Sequence, residues 1–167
     1  MRITILVLLI CLAGCGYHFP GQSGMLPGGV EKLYVPLFIN KTSEPRLENV
    51  LGNRISEVFA RSSKILQVSR EDAAEAVLFG TISKYQSRAL SYDRNDDIGE
   101  YRSTMTVDVV LQRVGSGEVL WKKNVSWSSV YRAERDKGTQ SDLEEQAINE
   151  ISLRLAEELL HQLLDDF

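Results

Sequence analysis

The chain has 167 residues, 43% of them hydrophobic and 25% charged, which is enough apolar material for one packed domain. Its formal charge of −4 argues against general nucleic-acid binding, which calls for a basic surface. Both cysteines, Cys11 and Cys15, lie before Gly16, so the rest of the chain has no means to form a disulfide, a thiolate metal site or a cysteine nucleophile.

The apolar run Ile3–Leu12 follows the amino terminus and Arg2 and ends in Leu12-Ala13-Gly14-Cys15. A run of about ten residues is too short for a transmembrane helix, which needs roughly 20, but it fits the core of a secretory signal ending in small residues. Leu12, the small pair and Cys15 together read as a bacterial lipoprotein cleavage site. Residues 1–14 are then a signal peptide, and Cys15 becomes a lipidated amino terminus bearing N-palmitoyl and S-diacylglycerol groups. One myristoyl-sized chain holds a protein to a bilayer only marginally, so stable anchoring calls for several chains. Residues 15–30, with Pro20, Gly21, Gly24, Pro27, Gly28 and Gly29, have no period and read as a lipidated flexible tether.

Residues 31–167 read as a single domain. Lys32–Asn40 places Leu33, Val35, Leu37 and Ile39 at strand spacing, with Pro36 marking an edge or a bulge. Ser43 is a candidate N-cap, with Pro45 in the first turn of a helix whose stripe is Leu47, Val50, Leu51, Ile55, Val58 and Phe59. Ile65–Val68 is a candidate short strand. Val77–Ser91, Tyr101–Val114 and Glu118–Tyr131 read as strands, the last two joined by the tight turn Gly115-Ser116-Gly117. In the middle one Tyr101, Met105, Val107, Val109 and Leu111 face one way and Arg102, Thr104, Thr106, Asp108 and Gln112 the other, as in an antiparallel sheet covered on a single side. In the third strand Val119, Trp121, Val125 and Trp127 form the apolar face. Lys123 and Ser129 break that pattern and suggest a bulge. Ser141-Asp142-Leu143-Glu144 has capping-box spacing before a long helix carrying Ala147, Ile148, Ile151, Leu155, Leu159 and Leu163. Two amphipathic helices over one sheet face predict a two-layer α/β (α+β) domain.

Groups that could do chemistry are scarce. His18 falls in the tether and His161 near the end of the last helix, neither with a partner of the kind nucleophilic catalysis needs. Gly21-Gln22-Ser23-Gly24 lacks nucleophile-elbow spacing. Asp93–Glu100 resembles a calcium loop, but Ile98 and Thr104 occupy the places where an EF-hand needs Gly and a bidentate Glu, so the stretch reads as a solvated hairpin tip. The expectation is a protein that is not an enzyme and uses no metal or cofactor.

Binding is what remains. Residues 84–102 balance Lys84, Arg88, Arg94 and Arg102 against Asp93, Asp96, Asp97 and Glu100, whereas residues 122–137 are net basic and residues 141–167 strongly acidic. Arg94 falls at a hairpin tip and Lys137 in the loop before the last helix. Both are side chains that match phosphate.

Several segments, in order, resemble the LptE family of lipopolysaccharide (LPS)-assembly lipoproteins. They are Cys15-Gly16-Tyr17-His18-Phe19, Tyr34-Val35-Pro36-Leu37-Phe38-Ile39-Asn40-Lys41-Thr42, the helix with Leu47 and Leu51, Glu100-Tyr101-Arg102-Ser103-Thr104-Met105-Thr106-Val107, and the long last helix. The resemblance covers essentially the whole chain. It implies two helices packed on one face of a mixed, mostly antiparallel four-stranded sheet. It also implies a lipid-anchored protein on the periplasmic side of the cell outer membrane, which plugs the LptD β-barrel, helps it assemble and binds LPS during export. Arg94 and Lys137 are carried over as the LPS-binding residues on that basis only. A sheet face of Thr, Ser, Gln and Asn suits the hydrated interior of a barrel. Gly16 behind Cys15 is consistent, again through the resemblance, with passage to the outer membrane. The alternative is an outer-membrane lipoprotein that activates a peptidoglycan synthase.

Overall fold

A computed structural model describes residues 26–165. The elements are β1 (Lys32–Tyr34), β2 (Ile39–Asn40), α1 (Leu47–Ala60), β3 (Leu66–Val68), β4 (Ala76–Tyr92), β5 (Ile98–Arg113), β6 (Val119–Arg132) and α2 (Lys137–Asp165). The strands form one mixed sheet in the order β3-β1-β4-β5-β6, with β2 pairing β4 beside that path. The sheet therefore has six strands rather than four, the extra ones being short. Pairings of β1 with β3 and β4, and of β2 with β4, are parallel, while the long β4–β5 and β5–β6 pairings are antiparallel.

Both helices lie on one face. From the sheet, Leu33, Leu78, Ile82, Met105, Val107, Val109, Leu111, Trp121 and Val125 meet Leu51, Ile55 and Phe59 of α1 and Ile151, Leu155, Leu159 and Leu163 of α2 in a single buried cluster. This is the stripe-and-alternation arrangement expected for a sheet covered on one side. Leu26, Pro27 and Val30, within the span read as a tether, are also buried.

The first strand departs from a simple alternation. The stretch splits at 35–38; from Leu37 on the alternation is inverted, with Leu37 and Ile39 exposed at 61% and 60% while Phe38 is buried. Proline cannot donate to a ladder, and the parity of the chain flips after Pro36. The Phe38 ring then lies over β4 where Gly80 has no side chain: a Cβ there would fall 2.2 Å from the ring.

Both helix starts differ from expectation. Helix α1 begins at Leu47 behind Arg46, whose φ is +64°, and Ser43 does not cap it. Asn40 organises the approach instead, donating to the Glu44 carbonyl at 2.8 Å and Glu48 Oε2 at 2.9 Å and accepting from the Thr42 backbone N–H at 3.0 Å. Helix α2 begins a turn before the Ser141 capping box. Asp136 caps it, its Oδ2 accepting from Thr139 N at 2.8 Å and Thr139 Oγ1 at 3.0 Å. Nor does β6 bulge at Lys123 or Ser129. Its pairing with β5 runs unbroken from Trp121 to Arg132, and the irregularity falls at Leu111/Gln112. Both residues sit on the helix-side face, Lys123 on the open edge strand and Ser129 bonded to Glu150.

Candidate functional site

Two polar regions stand out. The first is the end of the molecule where the β4–β5 hairpin and the start of α2 meet. At the hairpin tip, Asp93 Oδ1 accepts from Asn95 N at 2.7 Å and Asp97 N at 3.1 Å, closing a tight turn that lifts Arg94 into solvent. The connection from β6 to α2 is fastened to this hairpin by Ala133 N donating to the Gly99 carbonyl at 2.9 Å and by the Arg135–Asp97 ion pair at 2.7 Å. A cleft of about 550 Å³ opens between them, lined by Asp93, Asp97, Tyr101, Ala133, Glu134 and Arg135.

Lys137 is the first residue of α2 rather than part of the preceding loop, and it is exposed. A cation there faces the positive end of the helix dipole. The Asp136 carboxylate beside it is held below the usual carboxylate range by the Thr139 backbone N–H and hydroxyl. Arg94 and Lys137 thus sit on two elements that these fastenings bring to one end. Cys15 lies outside the described residues, as do His18 and Gly21–Gly24.

Beneath this end, the layer between sheet and α2 turns polar. Tyr85 Oη lies 2.8 Å from Glu144 Oε1 and 3.0 Å from Ser103 Oγ; Ser87 Oγ lies 2.7 Å from Tyr131 Oη; Ser129 Oγ donates to Glu150 Oε2 at 2.6 Å. Burial pushes the Tyr85 phenol well above its ordinary value. Tyr101 and Tyr131 stack at 5.7 Å.

The second region is the face of β4–β6 that neither α1 nor α2 covers. Here Thr104 and Ser128 hydroxyls are 2.7 Å apart, Thr106 and Ser126 3.2 Å, and Asn124 donates to Asp108 at 2.7 Å. The Asn124 bond, with one from Ser83, holds the Asp108 carboxyl below its usual range. Above Asp108 lie Lys84, Arg88 and Arg102, with Arg88 directly opposite Arg102 across β4–β5. Along the chain these three cations, with Arg94, balance the four acids of the hairpin. The register separates them, placing the acids at the tip and the cations down the open face. Only the wet-face position of Arg102 was readable beforehand.

Among the described residues no group of His, Cys, Asp and Glu is arranged to hold a metal, and no helix is long and apolar enough to cross a membrane.

Two helices over one face of a mixed sheet, with the other face uncovered among the described residues, hydroxyl-rich and basic at one end, define a two-layer α+β domain with an open polar surface. The chain belongs to the LptE lipopolysaccharide-assembly family, whose model matches residues 30–163. Among solved structures, uncharacterized lipoprotein B of Nitrosomonas europaea is similar at 15% identity and a TM-score of 0.60, covering 89% of this chain and 90% of that one. The rare lipoprotein B of Shewanella oneidensis is similar at 16% identity and 0.53, covering 79% and 92%. A minor lipoprotein of Acinetobacter baumannii is similar at 12% and 0.51, covering 81% and 92%. Likeness at these identities carries the fold alone. No curated protein matches the chain in sequence.

Proposed function

We propose that this chain is the lipoprotein subunit of an outer-membrane LPS translocon. Residues 1–14 are removed, Cys15 is acylated and anchored in the periplasmic leaflet, and the domain plugs the LptD β-barrel, helping it assemble. LPS passing through meets Arg94 and Lys137. The observation that carries this reading is the fastening of the β4–β5 tip to the start of α2 by Arg135–Asp97 and Ala133–Gly99, which gives a member of an LPS-assembly family two exposed cations at one end. The placement of Lys137 supports it further. A lysine in the first turn of a helix is electrostatically unfavourable, and local rules broken without compensation concentrate at functional positions.

The test is affinity capture of the tagged full chain from detergent-solubilised envelopes. Retention of a large heat-modifiable barrel is expected. Recovery of soluble periplasmic proteins only, or of a penicillin-binding protein without LPS, would overturn the reading. Intact-mass analysis of the mature chain should show a triacylated amino terminus at Cys15.

A further inference from the structure

On the face that neither α1 nor α2 covers, Arg88 of β4 and Arg102 of β5 are cross-strand partners. Directly opposed residues have Cβ atoms about 5 Å apart, and like charges so placed destabilise a sheet. Both side chains are exposed, and no ion pair among the described residues joins either to a carboxylate. In the same register Gln86 lies opposite Thr104, and Lys84 opposite Thr106. Arg88 and Lys84 are four strand residues apart, roughly 13 Å. These side chains line a shallow trough of about 470 Å³, with the Arg pair at one end, Lys84 at the other, and a floor of one amide and several hydroxyls. Exposed Leu90 and Val130 stand beside the Arg end.

We propose that this trough binds a phosphorylated sugar headgroup, one phosphate held between the Arg88 and Arg102 guanidinium forks and a second anionic group reached by Lys84. Two guanidinium groups facing each other repel until a dianion lies between them. A phosphate has enough oxygens to meet both forks bidentately, where a single carboxylate has not. Mixed hydroxyl and amide groups on the floor match the alcohol groups of a sugar better than the backbone of a peptide. The assignment rests on the reading above for its ligand class, and it does not depend on Arg94 or Lys137.

The experiment measures binding of the full chain to three probes at fixed salt: intact LPS, enzymatically dephosphorylated LPS, and the soluble deacylated headgroup that keeps its phosphates. The wild-type chain should prefer phosphorylated over dephosphorylated LPS. R88Q/R102Q should lose most of that preference, the tip cations keeping the remainder, and weaken binding roughly tenfold or more; R88K/R102K, which keeps charge but not the forks, should fall between. The melting temperature of R88Q/R102Q should hold or rise because a like-charge pair is removed, which separates lost binding from lost folding. Equal binding of soluble headgroup and intact LPS assigns the trough to a free sugar phosphate, and preference for the acylated form assigns it to a lipid headgroup; both support the site.

Unchanged LPS affinity in R88Q/R102Q overturns the proposal while leaving LPS binding itself standing. Loss of barrel capture by R88Q/R102Q without any loss of LPS affinity overturns it in favour of a protein contact. Failure of the wild-type chain to bind any of the three probes removes LPS binding altogether, from the trough and from the tip alike.

Discussion

The Tyr85 hydroxyl lies 2.8 Å from Glu144 Oε1, tying β4 to the first turns of α2. It also touches Ser103 Oγ at 3.0 Å, and Ser103 is fully buried. Removing the phenol oxygen leaves a carboxylate and a buried hydroxyl without that partner, and bonds to charged groups contribute more than neutral ones. Tyr85→Phe should therefore cost about 1–2 kcal/mol in urea unfolding, with the slope unchanged. Hydrogen exchange should quicken most in the α2 segment around Glu144. An unaltered midpoint would mean that water replaces the bond at no cost.

Phe38 and Gly80 form a second dependent pair. Three atoms of the Phe38 ring lie 2.2–2.4 Å from where a Cβ on Gly80 would sit, and Phe38 is 2% exposed. Gly80→Ala should destabilise by about 1–3 kcal/mol through overpacking, and Phe38→Ala by about 3–5 kcal/mol through the cavity it leaves. With the ring gone the new methyl has room, so the double variant should cost clearly less than the two single effects added together. Simple additivity in denaturant unfolding would show that the ring has another place to go.

These two pairs mark the limit of what the sequence makes readable. The wet and dry faces of β5, the stripes of α1 and α2 and the Gly115–Gly117 turn all follow from local periodicity, because each is decided by which side meets the core. Phe38 was not readable, since the kink after Pro36 inverts the alternation and the gap at Gly80 lies 42 positions further on. The helix starts were misplaced for a similar reason. Asp136 and the Asn40 side chain outcompete Ser141 and Ser43 through local bonds that cap preferences rank almost equally. The Arg88–Arg102 opposition needed the register of two long strands, including the irregularity at Ile82/Lys84 that shifts it. A one-residue slip would have sent one arginine to the other face.

The Glu31 and Lys32 backbone N–H groups hold the Glu75 carboxyl below its ordinary value, Asn124 does the same for Asp108, and the Thr139 N–H for Asp136. Groups whose folded pKa is depressed add stability above their unfolded pKa of about 4, and lose it as pH falls through the lower folded value. Glu44 acts in the opposite sense. Burial first, then Glu144, raises its pKa against the pull of Arg46, so its contribution exists at low pH and fades as pH rises. Three depressed groups against one raised predict a melting temperature that is flat near neutrality and falls below about pH 4. Asp136→Asn together with Glu75→Gln should make that acid limb shallower, since asparagine still caps a helix but does not titrate. A limb of unchanged steepness would move the linkage to other carboxylates.

Arg94→Asp combined with Lys137→Asp tests the tip. An aspartate at position 137 faces the positive end of the α2 dipole and should stabilise slightly, while one at position 94 joins Asp93, Asp96 and Asp97 and should destabilise slightly. Exposed changes of this kind usually stay within about 0.5 kcal/mol, and here they oppose each other, so the melting temperature should barely move. LPS affinity should drop several-fold, more at low salt than at high, because exposed charges are screened over about 10 Å at 0.1 M. Since the trough cations stay in place, some phosphate-dependent binding should survive, and adding Arg88→Gln and Arg102→Gln should remove it. Unaltered LPS affinity in the tip variant would take Arg94 and Lys137 out of the binding site and leave the open face as its remaining seat.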